Sequence, residues 1–74
     1  MKTNEVIREV MNRKDIGPTE LANRMGKPAR LISDRLRIEN LSMEKLNETL
    51  RLMGYKIIAV PIETAVPEDG IVVD

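Results

Sequence analysis

The sequence contains no cysteine and no histidine. Without cysteine, no disulfide and no thiolate metal site can form. Without histidine, the commonest metal ligand and general base is missing. Ser33 and Ser42 therefore have no imidazole to activate them. The four glycines, at 17, 26, 54 and 70, are dispersed, so no glycine-rich phosphate loop is present. Glu44 and Glu48 alternate with Lys45 and Arg51, the usual pattern of a solvated helix surface. These absences predict a protein that is not an enzyme and that uses no metal and no cofactor. The longest apolar run, Ile57 to Ile62, falls far short of the roughly 20 residues a spanning helix needs. The opening residues, Met1 to Glu5, lack the apolar segment of a secretory leader. The chain reads as soluble and cytoplasmic, with no membrane partner.

What is present fits one small domain of 74 residues. A domain of this size buries only roughly 60% of its unfolded surface. Disulfides, metals or a partner subunit usually supply the difference. The first two are excluded, which leaves a partner subunit. Net charge is zero, yet the charges are segregated. All twelve Lys and Arg lie before residue 62, against eight acids there, and the last thirteen residues hold four acids and no base. Arg24, Lys27, Arg30, Arg35 and Arg37 cluster around a single acid, Asp34. A local basic cluster can meet phosphates even in a neutral chain.

Hydrophobic spacing predicts four helices. Val6, Ile7, Val10 and Met11 mark the first, capped by Thr3 or Asn4 and ended near Lys14 by the break at 15–18. Pro18 opens the second, whose apolar side is Leu21, Ala22 and Met25, and Gly26 ends it. Pro28 opens the third, with Ile32 and Leu36 on one face. Ser42 caps the fourth, Leu41 and Leu46 stand at staple spacing, Leu50 and Met53 continue the stripe, and Gly54 ends it. The pattern then changes. Tyr55 to Val60 is short and β-branched and predicts a strand ended by Pro61. Residues 62–70 read as a loose acidic loop, and Ile71 to Val73 as a second short strand.

The block at 18–37, PTELANRMGKPARLISDRLR, suits two short helices crossing with their backbones close. Ala22 fits the crossing, Gly26 makes the tight turn, and Ile32 plugs the core beneath both. The outer side of the third helix is left free for a major groove, which admits one α-helix. This block resembles the lambda-repressor/Cro-like (Xre-type) helix-turn-helix family. The resemblance rests on ELANRMG at 20–26, the pair Ile32 and Ser33, and LSMEKLNETLRLMG at 41–54, and it covers residues 4–54. It departs from the family at Lys27 and Arg35, which replace apolar residues. Their stems are expected to lie at the core margin with charges in water. It departs again at Pro18, where the family favours glutamine.

The resemblance implies a mainly α, four-helix DNA-binding domain over 1–54, followed by a dimerisation strand over 55–61 and an acidic tail over 62–74. It implies base-facing roles for Ala29, Arg30, Ser33 and Asp34, and phosphate or sugar contacts for Thr19, Asn23, Lys27, Arg37 and Asn40. Arg30 suits a bidentate contact to guanine, and Asp34 either accepts from a cytosine or holds Arg30 or Arg37 in place. A lone strand needs a partner for its backbone groups. Tyr55, Ile57, Ile58, Ala59 and Val60 are expected to pair with a second copy or, as the alternative, with Ile71 to Val73. The function expected is sequence-specific binding of double-stranded DNA by a homodimeric transcription regulator of phage, mobile-element or antitoxin type. A toxin or another protein is a further partner in that setting. The rival expectation is a protein-interaction module that keeps the shape without binding DNA.

Overall fold

A computed structural model describes residues 1–73, and Asp74 of the acidic tail lies outside the described residues. The chain folds as four helices: α1 (Thr3–Lys14), α2 (Pro18–Met25), α3 (Ala29–Arg35) and α4 (Met43–Arg51). α2 packs on α3, and α1 packs on α4. The apolar stripes meet in one core of Val6, Ile7, Val10, Met11, Ile16, Leu21, Ala22, Ile32, Leu36, Leu41, Leu46, Leu50 and Met53. No helix among the described residues is long and apolar enough to cross a membrane.

The helix ends explain the turns. Gly26 has φ +71°, the left-handed conformation that suits glycine, and its N–H donates to Asn23 while that of Lys27 donates to Ala22. Gly54, at φ +82°, closes the chain after α4 in the same way, with Tyr55 N–H donating to the Leu50 carbonyl at 3.0 Å. The first helix closes identically, but on Asp15 at φ +54° rather than on Gly17. Ile16 N–H donates to the Met11 carbonyl at 2.9 Å. Aspartate is among the few non-glycine residues that visit this region readily.

Two expected caps resolve differently. Ser42 caps α4 as expected, its hydroxyl accepting from Lys45 N–H. The residue before α1 is Lys2, neither Thr3 nor Asn4. The Glu5 carboxylate accepts from Lys2 N–H at 2.7 Å, and Asn4 Oδ1 accepts from Glu5 N–H at 3.0 Å. The Thr3 hydroxyl and the Asn4 Nδ2 are spent on tertiary bonds. The Thr3 hydroxyl donates to the Glu39 carbonyl and accepts from Leu41 N–H, each at 2.8 Å. These bonds fasten the start of α1 to the loop before α4.

Arg35 corrects an expectation. Its side chain is 11% exposed and its guanidinium is held by protein rather than water. Nη1 donates to Thr49 Oγ1 and pairs with Glu48 Oε1, both at 2.8 Å. A buried charge must be paired and hydrogen-bonded, and α4 supplies both partners. Lys27 is exposed. Replacing Arg35 with alanine is expected to cost about 1–3 kcal/mol, mostly lost packing, because Glu48 is more than half exposed and screened by water. Arg35→Met keeps the stem's volume and should cost under about 1.5 kcal/mol. Equal losses in urea titrations of the two variants would place the energy in the ion pair instead.

The predicted strands do not form within the described residues. Among the described residues, Tyr55 to Val60 has no ladder partner. Tyr55 and Ile57 pack on the core, while Ile58, Ala59 and Val60 are exposed. Ile71 to Val73 forms no strand either: Ile71 packs on the core, and the Val72 carbonyl accepts from the Met1 amino group at 3.0 Å. The acidic segment is thus tied to the helical body at several points. The Asp69 carbonyl takes a 2.8 Å bond from Arg13 and helps tie it to α1.

Candidate nucleic-acid interface

Helical spacing places residues 30, 33, 34 and 37 on one side of α3 and its following turn. The inner side is spent on the core through Ile32, which is 0% exposed. Arg30, Ser33 and Arg37 are exposed and Asp34 is half-buried. These four line one concavity of about 670 Å³, completed by Leu36 and by Arg8 from α1. Three arginines and one aspartate line it, a formal net charge of +2.

The hydrogen bonds sort the basic cluster into used and unused cations. Arg24 is bound to Glu20 at 2.8 Å and to the Leu52 carbonyl at 3.1 Å, which ties α2 to the end of α4. Arg35 is committed to α4. Arg37 pairs with Asp34, one of the two arginines that carboxylate was expected to hold. Arg30 and Lys27 make no ion pair or side-chain hydrogen bond with the described residues. The Ser33 hydroxyl turns back to the Ala29 carbonyl at 3.4 Å.

The remaining expected residues are exposed but do not line this concavity. Ala29 stands at the first position of α3, Thr19 and Asn23 on α2, Lys27 in the turn between α2 and α3, and Asn40 in the loop before α4. The sequence pattern missed Arg8. It belongs to the polar side of α1 and lies outside the basic cluster, so no local signal marks it. Only the packed fold brings it to α3, where its Nη2 donates to the Leu36 carbonyl at 3.1 Å.

A second, more apolar concavity of about 780 Å³ lies between the α1–α4 seam and the segments after Gly54. Ile58, Val60, Val66 and Val72 line it and are each more than half exposed. The residues expected to dimerise are therefore split, with Tyr55 and Ile57 turned to the core and Ile58 and Val60 outward. No set of side chains among the described residues is arranged to hold a metal ion. Compared with models of protein families, with curated proteins and with solved structures, the chain matches none.

Proposed function

We propose that the chain is a transcription regulator that binds double-stranded DNA sequence-specifically, as a homodimer, through a lambda-repressor-like helix-turn-helix made of α2 and α3. The observation that carries this reading is the outer side of α3. It holds an unpaired Arg30 within a net-cationic concavity, beside small side chains at Ala29 and Ser33 that let a duplex approach. In this reading Arg30 reads a guanine through its O6 and N7 acceptors, and Ala29 meets a thymine methyl. Asp34 steers Arg37 toward the backbone. Thr19, Asn23, Lys27 and Asn40 flank the groove as phosphate or sugar contacts, with the first N–H groups of α2 aiding Thr19. The setting is that of a phage, a mobile element or an antitoxin operon.

The dimer is supported by the segment after Gly54. Among the described residues, the N–H groups of 56–60 donate to no acceptor in the chain, and Ile58 and Val60 remain exposed. Antiparallel pairing with the same segment of a second copy satisfies both and gives an isologous contact. Two half-sites about one helical turn apart are then read together. The rival, a protein-interaction module or an antitoxin that grips its toxin here, draws on the same apolar surface.

Fluorescence anisotropy of a labelled duplex from upstream of the gene, with unlabelled competitor, separates the readings. Arg30→Ala is expected to weaken specific binding by about 1–3 kcal/mol and to relax preference at one base pair. A variant with unchanged affinity and unchanged preference removes Arg30 from base reading. Absence of saturable duplex binding by the parent chain favours the rival.

A further inference from the structure

We propose that Arg8 of α1, together with Arg37, forms a phosphate site beside the base-reading Arg30, so that α1 as well as α3 grips the nucleic-acid backbone. This rests on the DNA-binding reading and adds to it an element and a residue outside the helix-turn-helix. Arg8, Arg30 and Arg37 line one concavity with a single opposing carboxylate, Asp34. Each guanidinium carries five N–H donors in a planar fork. Arg8 spends Nη2 on the Leu36 carbonyl, Arg37 pairs with Asp34, and Arg30 has no partner. Most of the donors are therefore left for a ligand. The two internal bonds hold Arg8 and Arg37 in place before any ligand arrives, which lowers the entropy lost on binding.

The ligand chemistry follows from the shape of the donors. A guanidinium fork matches the paired oxygens of a phosphate, and like charges held in one concavity are relieved by an anion. The concavity is open and lies alongside the base-reading side of α3, as a contact to a backbone phosphate requires. The occupant is a phosphodiester of the duplex flanking the bases that α3 reads.

The test uses the full chain with Arg8→Gln and Arg8→Lys, both checked for an unchanged unfolding midpoint. Duplex affinity is measured over a series of salt concentrations. Arg8→Gln is expected to weaken binding about 3- to 10-fold on every duplex alike and to lower the slope of log K against log salt by about one, while Arg8→Lys keeps the slope. A parent chain that binds duplex, with an Arg8→Gln variant of equal slope and affinity, overturns the proposal and leaves the DNA-binding reading standing. A second arm titrates inorganic pyrophosphate at constant ionic strength and follows the Nε–H signals of Arg8 and Arg37 by NMR. Saturable shifts of Arg8 and Arg37 in the parent, with the Arg37 shift lost in Arg8→Gln, support the anion site even where the parent binds no duplex, the outcome that removes the DNA reading alone. A parent that shows neither duplex binding nor shifts overturns both.

Discussion

Truncation after Gly54 is expected to lower the thermal unfolding midpoint by about 10–20 °C. Tyr55, Ile57 and Ile71 pack on the core and are partly buried. Full burial of such side chains is worth about 1.5–3 kcal/mol each, so half-burial of three amounts to roughly 2–4 kcal/mol. The cut also deletes the Tyr55 N–H bond that closes the chain after α4. A domain of this length has only roughly 4–11 kcal/mol in hand, and each kcal/mol moves its midpoint by about 4–8 °C. Calorimetry of both chains measures the change. A truncated chain melting within a few degrees of the parent would show that the segment only decorates the core. Sedimentation of the same samples at micromolar concentration tests the dimer: the parent should sediment as a dimer and the truncation as a monomer. A monomeric parent removes the pairing of 55–60 between copies.

Ala22→Leu carries the other large effect. Ala22 on α2, the helix that packs on α3, is 1% exposed, and Leu21 of α2 and Ile32 of α3 are both 0% exposed. An isobutyl group in place of a methyl must push the two helices apart. The crossing cannot yield locally, because Lys27 N–H binds the Ala22 carbonyl and the left-handed Gly26 fixes the turn. Overpacking of this kind costs about 1–3 kcal/mol and occasionally more, a large share of the domain's stability. The exposed Ala29→Leu on α3 is the control and should change stability by less than about 0.5 kcal/mol. Urea titrations in which the two variants lose the same amount would mean that α2 and α3 do not meet at Ala22.

The helices were legible because a repeat near 3.6 residues is a local signal, and punctuation at Gly26, Ser42 and Gly54 sharpened their ends. The core followed for the same reason, down to Ala22 and Ile32. What escaped was decided by distant parts of the chain. Thr3 has the chemistry of a cap, but a loop some 36 residues away claims its hydroxyl. Arg35 reads as a surface charge until α4 brings Glu48 and Thr49 to it. Arg8 carries no pattern at all, and packing alone sets it beside Arg30. The strand reading of 55–60 drew on β-branched composition, which marks a fit to a packed surface as much as a ladder. Here that surface is partly helical. The candidate site was thus readable along α3, where spacing governs, and unreadable where α1 completes it.

The left-handed closures after α1, α2 and α4 set an order of events as well as a shape. Each binds groups no more than five positions apart. They form without bringing remote chain together, so the loop-closure entropy they must overcome is small. Short helices appear within about a microsecond, and helical proteins rich in local contacts fold in microseconds to milliseconds. The return of the C-terminal segment is different. Its bonds from Arg13 to Asp69 and from Met1 to Val72 join opposite ends of the sequence, and they are the last that chain connectivity allows to be made cheaply. Tyr55, the single aromatic residue, sits at that seam beside Lys14. Its fluorescence therefore follows the docking of the segment, separately from helix formation followed by circular dichroism.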